Sequence, residues 1–410
     1  MELIKDVYTI QKINVLDICE QFGTPLYVYD GERIVTQLNT LKSAFQGVDL
    51  KIKYAAKALT NLSVLRLLKK HGSGIDVVSI QEVQLAIHAG FSCAEIMFTP
   101  NGVSFDEIVE AVDAGVSINI DNLPTLQKFG ARYGKTKACS LRLNPGIMAG
   151  GNYKISTGHN QSKFGISIQQ LPQIIDIVKQ FNISINGLHI HTGSEVSDLA
   201  IFLKVADVLF STASQFPALT FLDFGGGFKV SYKKDDAVTD ISALGSALTK
   251  AFTQFCEKYG RPIQLVIEPG KFLVSEAGVL LAKANVVKET PELTFVHINS
   301  GLNHLLRPMM YDAYHEIINV TNPNGMQKLY NVVGYICETD TVGSDRKLNE
   351  VREGDILAIQ NAGAYGFSMA SNYNSRLRPA EVLVINGEAK LIRKQENLDD
   401  LLKNQIEIVL

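Results

Sequence analysis

A lysine follows a short, largely apolar segment near the start of the chain. Lys57 comes directly after residues 52–56, and the carboxyl ends of the strands form the active-site face of a parallel barrel. An amine held there can form a Schiff base with a carbonyl-bearing cofactor. Most lysines at strand ends are solvated surface charges, so Lys57 indicates a catalytic role only in combination with other reactive segments of the chain.

Two histidines end another apolar segment, residues 185–191. His189 and His191 lie two residues apart, so strand geometry places both on one face, from which they can point into the mouth of a barrel. A histidine there can stack on an aromatic ring or relay a proton. Two such histidines can also chelate zinc, but we find no third ligand of the right type nearby in the sequence and therefore predict no metal site. Ser194 offers a hydroxyl and a backbone N–H for an anion.

Three consecutive glycines, Gly225-Gly226-Gly227, follow the apolar residues 220–224. Glycines allow close approach of the backbone and present N–H groups to an anion, and the loop after strand seven of a (β/α)8 barrel is a frequent phosphate site. A tight turn between a strand and a helix is the alternative interpretation. The segment lacks the Gly-x-Gly-x-x-Gly spacing of a dinucleotide site.

A carboxylate follows the apolar residues 264–267 in the segment Glu268-Pro269-Gly270-Lys271. At the active-site face, Glu268 could keep a pyridine nitrogen protonated through a charge-assisted hydrogen bond. A helix cap or a surface carboxylate is the alternative.

Further reactive side chains occur in the last third of the chain. Cys337 could donate a proton, and the adjacent Glu338 could bind an ammonium group; a buried structural cysteine is the alternative. Arg307 and Tyr311 offer a guanidinium that can grip a carboxylate and a phenol. These types suit recognition of an amino acid.

The scaffold that would position these groups can be predicted from the rhythm of the sequence. Short apolar runs alternate with amphipathic segments of helical period, which is typical of parallel strand–helix units. About eight such units over roughly 250 residues predict an α/β protein with a closed (β/α)8 barrel of the TIM type; an open doubly wound sheet is the alternative. The predicted strands are 52–56, 75–78, 96–99, 117–120, 140–143, 185–191, 220–224 and 264–267.

The order of the chemical groups along this barrel is more informative than any one of them. The lysine follows strand one, the histidines strand six, the glycines strand seven and the glutamate strand eight, so all would meet at one end. An amine, a ring-stacking side chain, an anion cup and a partner for a pyridine nitrogen describe a pyridoxal phosphate site. The long gap between residues 144 and 185, which holds Gly150, Gly151, Gly158 and Gly165, is interpreted as an extended active-site loop, with a disordered insertion as the alternative.

Beyond about residue 277 the pattern changes to strands with few helices between them. We expect strands at 279–287, 294–298, 331–336, 356–359 and 381–385, and therefore a second, mostly β domain. The predicted boundaries are 30–276 for the barrel, with 1–29 and 277–410 forming the β-rich domain that completes the active site.

Composition excludes several classes of protein. A net charge of −3 on 410 residues leaves no basic excess for a nucleic acid. The five cysteines contain no Cys-x-x-Cys and fit a reducing compartment rather than a disulfide or zinc scaffold. The amino-terminal residues lack the pattern of a signal peptide, and no apolar run is long enough to cross a bilayer. We expect a cytoplasmic protein without a membrane partner.

Several motifs resemble a known family over nearly the whole chain. Tyr54-Ala55-Ala56-Lys57-Ala58 resembles a cofactor-lysine motif, and the segments at 76–79, 142–146 and 162–165 also match. Residues 363–374, with 376–381, are similar to the carboxyl-terminal signature of the diaminopimelate decarboxylase family. That family belongs to the alanine-racemase-like, fold-type III pyridoxal phosphate enzymes.

The resemblance implies a set of residue roles. The catalytic residues would be Lys57, His191, Glu268 and Cys337. The cofactor would be bound by Lys57, Asp76, His191, Ser194, Gly226, Gly227, Glu268, Gly270, Lys271 and Tyr365. The substrate would be bound by Lys271, Arg307, Tyr311, Glu338 and Tyr365. The segment with Cys337 and Glu338 would come from the neighbouring subunit, which implies a homodimer with active sites at the interface.

The implied activity is decarboxylation of meso-2,6-diaminopimelate to L-lysine and carbon dioxide, the last step of lysine biosynthesis. Two alternatives stay open: decarboxylation of a related substrate (ornithine, lysine, arginine or a carboxylated polyamine), and a non-catalytic barrel that binds pyridoxal phosphate. The chain departs from the family at Lys271, which replaces an arginine, at His304, where an acid is common, and at Thr339, which replaces a serine.

Overall fold

A computed structural model describes residues 1–149 and 157–410 of the chain. The chain divides into two compact units: Val35–Ser231 with Ala237–Leu273, and Met1–Ile34 with Tyr232–Asp236 and Val274–Leu410. Residues 150–156 of the predicted active-site loop lie outside the described residues.

The first of these units is a closed barrel of eight parallel strands. Each strand pairs with the next, and the last pairs with the first through Leu265 and Leu50. This closure confirms the predicted barrel and excludes the open sheet. The strands are β1 Leu50–Ala55, β2 Gly74–Val77, β3 Ile96–Phe98, β4 Ser117–Ile120, β5 Ala138–Asn144, β6 Ser184–Ile190, β7 Phe221–Asp223 and β8 Gln264–Ile267. A short strand, Ile166–Ser167, pairs with β5.

Helices alternate with these strands and begin at polar caps. Asn61 accepts the Ser63 N–H at the start of one helix, and Ser104 forms a capping box with Glu107 at the start of another. Their apolar faces are buried because the helices cover the barrel. The helices are Gly31–Ala44, Leu62–Lys70, Ile80–Ala89, Phe105–Asp113, Leu123–Tyr133, Leu171–Phe181, Leu199–Ala213, Ile241–Tyr259 and Lys271–Val274.

The other unit is mostly sheet, as predicted. Leu26–Asp30 pairs antiparallel with Gly278–Glu289 and parallel with Ala380–Ile385, so the amino-terminal segment is an interior strand of this sheet. The order across the sheet is Thr341–Asn349, Gln327–Val333, Thr294–Ile298, Gly278–Glu289, Leu26–Asp30, Ala380–Ile385 and Glu388–Arg393, while Ile356–Ile359 pairs with both Gly278–Glu289 and Ile317–Asn319. The strands Glu2–Ile4, Val7–Ile10 and Ile13–Asn14 form a separate small sheet, and the helices are Val15–Phe22, Arg307–Tyr311 and Leu398–Leu402.

One predicted strand of this unit is displaced. We expected 331–336, whereas the strand is Gln327–Val333. Beyond Val333 the chain turns: the Gly334 N–H donates to the Asp340 carbonyl oxygen at 2.7 Å, and the Ile336 N–H donates to the Asp340 carboxylate at 3.1 Å instead of to a neighbouring strand. Among the described residues, no helix is both long and apolar enough to cross a membrane.

Candidate active site

Lys57 lies just beyond the carboxyl end of β1. It belongs to a short 3₁₀ turn, Ala56–Ala58, and its side chain is exposed while the flanking alanines are buried. The Ala55 N–H donates to the Pro269 carbonyl oxygen at 3.1 Å. This contact ties the turn after β8 to the end of β1, so the lysine and the Glu268–Lys271 turn are neighbours at the mouth of the barrel.

His191 directly follows β6 and is half-buried. Its Nδ1 accepts the Gly226 N–H at 3.2 Å, which leaves the ring proton on Nε2 in the neutral form. Burial, followed by the nearby positive charges of Lys57 and Arg142, lowers the pKa of His191 well below its ordinary value. A neutral imidazole fixed in this way suits stacking on a flat ring.

The three-glycine turn requires glycine at each position for steric reasons. An added Cβ would lie 2.7 Å from the Ile190 carbonyl oxygen at Gly225, 2.2 Å from that of Glu268 at Gly226, and 2.3 Å from that of Gly193 at Gly227. Gly225 and Gly227 also have positive φ angles of 64° and 97°. The turn therefore packs directly against the segments that follow β6 and β8.

The N–H groups of this turn are not all available to an anion. The Gly225 N–H donates to Asp223 Oδ1 at 2.9 Å, and the Gly226 N–H donates to His191. Among the described residues, the Gly227 N–H has no acceptor within hydrogen-bonding distance. Ser194 lies half-buried next to Gly193, whose carbonyl oxygen abuts Gly227. Of the three glycine N–H groups that the sequence offered to an anion, the Gly227 N–H therefore remains, together with Ser194.

Glu268 is buried at the end of β8, with a hydrogen bond between its Oε2 and His189 Nε2 at 3.0 Å. His189 is fully buried rather than exposed at the mouth. One polar atom of each of His189, Glu268 and Asp223 lies within 4.8 Å of the others. Our sequence search for a third ligand near the histidines missed both acids, because barrel closure brings them there. His189 is hydrogen-bonded to Glu268, and Asp223 lies beside this pair.

Asp76 lies in β2 and belongs to a buried polar chain across the barrel interior. Thr99 Oγ1 donates to Asp76 Oδ1 at 2.6 Å, and Asn119 Nδ2 donates to Thr99 Oγ1 at 2.9 Å. Burial, then the negative charge of Glu268, raise the pKa of Asp76 well above its ordinary value, against the opposite effect of Lys57. The Asp76 carboxyl group therefore lies inside the barrel, where the positive charge of Lys57 favours its ionised form.

Lys271 is buried and already has an anionic partner. Its Nζ donates to Glu195 Oε1 at 2.7 Å. Glu195 has a φ of 65°, in the left-handed region, which is uncommon for a residue other than glycine. Sequence reasoning missed Glu195. A phosphate or carboxylate that binds Lys271 must compete with this ion pair.

Arg307 is a buried residue of the other unit, at the start of the helix Arg307–Tyr311. Its Nη1 donates to the Tyr232 hydroxyl at 2.6 Å, and the guanidinium lies 5.0 Å from the centre of the Tyr232 ring. The same hydroxyl is 2.9 Å from Ser275 Oγ. Arg307 is therefore rigidly held, while Tyr311, at the end of the helix, is half-buried.

Cys337 and Glu338 are exposed, which excludes a buried structural role for this cysteine. The Tyr373 hydroxyl donates to Glu338 Oε1 at 2.5 Å, and Asn374 Nδ2 donates to Cys337 Sγ at 3.1 Å. Both partners belong to the 363–374 signature. This signature therefore has a structural meaning, because it contacts the two side chains expected to act on the substrate.

Two other residues, Asp340 and His304, have structural roles that the sequence did not reveal. Asp340 accepts the Leu302 N–H at 2.7 Å and the Ile336 N–H at 3.1 Å, which fixes the loop before Cys337. His304 is fully buried, with Nδ1 3.1 Å from Ser300 Oγ and Nε2 3.0 Å from the Leu377 carbonyl oxygen. Burial lowers the pKa of His304 to about 4, so the ring is neutral.

Tyr365 is half-buried and adopts a positive φ of 57° between tightly packed glycines. A Cβ added at Gly363 would lie 1.8 Å from the Val274 carbonyl oxygen, and one at Gly366 would lie 2.3 Å from that of Ala362. This close packing stabilises the strained backbone of Tyr365 and fixes the position of its Cα atom.

The barrel residues fit pyridoxal phosphate. The glycine turn leaves a backbone surface that any Cβ would fill, and an amine, a neutral imidazole and a buried carboxyl group stand around it. These are the groups needed for the carbonyl, the ring face and the ring nitrogen of that cofactor. The fold and this set of side chains define the class of pyridoxal-dependent enzymes.

Comparison with known proteins agrees with this class. The family described as "Pyridoxal-dependent decarboxylase, pyridoxal binding domain" matches residues 31–275. The diaminopimelate decarboxylase of Methanothermobacter thermautotrophicus is 38% identical over 403 residues, which cover 96% of this chain and 94% of that protein. The crystal structure of the M. jannaschii diaminopimelate decarboxylase superposes with a TM-score of 0.91 at 32% identity and covers 99% of this chain and 98% of that one.

A third similar protein is the Helicobacter pylori diaminopimelate decarboxylase, solved in complex with L-lysine. It has a TM-score of 0.87 and 33% identity over 95% of this chain and 98% of that one. This chain belongs to the pyridoxal-dependent decarboxylases and, within them, to the diaminopimelate decarboxylase family.

Proposed function

We propose that this protein decarboxylates meso-2,6-diaminopimelate to L-lysine and carbon dioxide with pyridoxal phosphate as its cofactor. The observation that carries the proposal is the set of side chains at the carboxyl end of the barrel, where Lys57, His191 and Glu268 follow three different strands. The names of the similar proteins support the choice of substrate.

The cofactor, when bound, supplies an electron sink for the electron pair left by the departing carboxylate. Lys57 would bind its carbonyl carbon through the exposed amine. The neutral ring of His191, held by the Gly226 N–H, would stack on the ring face. Glu268, hydrogen-bonded by His189, would keep a proton on the ring nitrogen. The remaining residues proposed to hold the cofactor are Asp76, Ser194, Gly226, Gly227, Gly270, Lys271 and Tyr365.

The distal end of the substrate carries one ammonium and one carboxylate, so it needs both an anion and a cation. Arg307, fixed by Tyr232, would grip the carboxylate, because a planar guanidinium matches its two oxygens. Glu338 would bind the ammonium. Tyr311, Tyr365 and Lys271 would complete the substrate contacts, and the Cys337 thiol would return a proton to the α-carbon after carbon dioxide leaves.

We further propose a homodimer in which the partner subunit supplies Cys337 and Glu338. Exposure of both side chains in the single chain supports this assignment. Mixing the inactive variant Lys57→Ala with the strongly impaired variant Cys337→Ala would then restore up to about one quarter of wild-type activity, because mixed dimers contain one intact composite site. No recovery after subunit exchange would contradict shared sites.

The domain boundaries 30–276 for the barrel and 1–29 with 277–410 for the β-rich part remain our proposal, as does a cytoplasmic location. Free thiols at all five cysteines suit a reducing compartment.

The test of the reaction is release of carbon dioxide by the cofactor-loaded protein on meso-diaminopimelate, with ornithine, lysine and arginine assayed in parallel. Release from meso-diaminopimelate alone is expected. Release from another amino acid would keep the chemistry and overturn the substrate. A loaded protein that releases none from any of the four would point to a binding protein.

A further inference from the structure

Two buried carboxyl groups meet at the ends of neighbouring strands. Asp223 is the last residue of β7 and is completely buried, and Glu268, which follows β8, is 6% exposed. One oxygen of each is engaged, Asp223 Oδ1 by the Gly225 N–H and Glu268 Oε2 by His189. The other oxygens, Asp223 Oδ2 and Glu268 Oε1, have no donor among the described residues.

These two groups cannot both be ionised at low cost. Two negative carboxylates placed together away from water repel each other, and each would keep an oxygen without a donor. One proton between the two free oxygens removes the repulsion and supplies the missing donor. A pair of this kind carries one negative charge in total.

The proton belongs on Asp223. Burial, then the charge of Glu268, raise the pKa of Asp223 well above its ordinary value. Burial would also raise the pKa of Glu268, but the neighbouring His189, 3.0 Å from Glu268 Oε2, and the other groups around it outweigh burial and hold this pKa below its ordinary value. Burial lowers the pKa of His189, so His189 is neutral and donates its Nε2 proton to Glu268.

We propose that Asp223 is a positioning residue that stays protonated at neutral pH and donates its proton to Glu268, which keeps Glu268 ionised where it would face the ring nitrogen of the cofactor. The catalytic consequence rests on the proposed function, whereas the protonation of Asp223 does not. Asp223 thereby acts through Glu268 without touching the substrate.

The surroundings are consistent with a single charge on the pair. Lys53 and Arg142 lie near enough for Asp223 and Glu268 to favour their charged forms, although burial lowers the pKa of both cations. Asp76 adds a carboxyl group that disfavours a second negative charge on Asp223. The charged and titratable groups that act on the pair are Lys53, Asp76, Arg142, His189 and His191, and Lys57 acts in turn on Asp76 and both histidines.

Infrared spectroscopy of the cofactor-free protein tests the protonation directly. We expect the difference spectrum between wild type and Asp223→Asn at pH 7 to contain the C=O band of a neutral carboxylic acid. That band should move when the aspartates are labelled with ¹³C at the carboxyl carbon. Absence of the band, or a band that moves only on glutamate labelling, would overturn the proposal. Because no cofactor or substrate is present, this outcome is independent of the proposed function.

The pH dependence of unfolding gives a second readout. A group whose pKa is raised by folding stabilises the protein below its unfolded pKa, about 3.9 for an aspartate, and this stabilisation is lost as the pH rises through the raised value. The Tm of the wild type should therefore fall over that range, and the fall should be smaller in Asp223→Asn. The exposed control Asp49→Asn should behave like the wild type. An equal fall in Asp223→Asn and wild type would contradict the proposal.

Kinetics separate positioning from mere packing. An asparagine can accept the Gly225 N–H and donate to Glu268, so Asp223→Asn should keep kcat within about threefold of wild type. Asp223→Ala removes the donor and should lower kcat about 10- to 100-fold, with a smaller change in cofactor Kd. Equal losses of kcat in the two variants would contradict the role of the donated proton.

Discussion

The carboxyl end of the barrel and the Cys337–Glu338 loop hold reactive side chains in different ways. In the barrel, Glu268 and His189 are buried and fixed by hydrogen bonds. In the loop, both side chains are exposed and each accepts one hydrogen bond from the 363–374 signature. Burial fixes the charge and the orientation of the barrel side chains, whereas the two loop side chains remain accessible to solvent. The accessible Cys337 and Glu338 side chains fit the proposed homodimer, in which these two residues would complete the substrate site of the partner subunit.

The largest expected effect would come from the amine at the barrel mouth. Lys57→Ala should remove turnover to the detection limit and abolish the visible absorbance of the bound cofactor, because no other side chain in our account binds its carbonyl. Lys51→Ala, at an exposed lysine near the start of β1, is the matched control and should stay active. Retained activity in Lys57→Ala would break the assignment of the barrel end as the cofactor site.

Removal of the buried negative charge should have the next largest effect. Glu268→Gln should lower kcat about 10²- to 10³-fold and weaken cofactor binding far less. The depressed pKa of Glu268 means that its ionised form, and the stability this form contributes, is present above the unfolded value of about 4.3 and is lost only as the pH falls below it. Equal losses in kcat and cofactor affinity would indicate a structural role.

The exposed loop should respond differently. Cys337→Ala should lower kcat about 10²-fold with unchanged cofactor loading and unchanged Tm, because the side chain is exposed and general acid catalysis contributes about this much. Asn374→Asp keeps a side chain that tolerates the left-handed backbone there (φ 56°) but replaces the donor to Cys337 Sγ, and should cost a few-fold. A Cys337→Ala variant with full activity would remove this residue as the proton donor.

The smallest expected effect concerns the Lys271–Glu195 ion pair. Glu195→Gln removes the negative charge that competes with the cofactor phosphate for Lys271. The Kd for pyridoxal phosphate should therefore fall about three- to tenfold at low salt and less at high salt. Titration of the cofactor into the cofactor-free protein measures this change. Weaker binding in the variant would mean that Glu195 orients Lys271 rather than competing for it.

The sequence was sufficient wherever function depended on local patterns. Each barrel strand is a short apolar run, and the residues at the strand ends could be ordered around a barrel because parallel strands end on one face. Asp223 was missed because it lies beside Glu268 only through the pairing of β7 with β8, which no local sequence pattern predicts. Glu195 and Tyr232 were missed for the same reason, since their partners are 76 and 75 residues away. The strand ending at Val333 was misplaced because Asp340, four to six residues further on, accepts the N–H groups of Gly334 and Ile336 in a turn.

We expect pyridoxal phosphate to be bound at the barrel mouth through the amine of Lys57. The direct test is to reduce the loaded protein with borohydride and map the modified peptide by mass spectrometry. We expect a pyridoxyl group on the peptide that contains Lys57, at a stoichiometry of about one per chain. A pyridoxyl group on Lys53 or Lys271 instead, or on no single lysine, would contradict it.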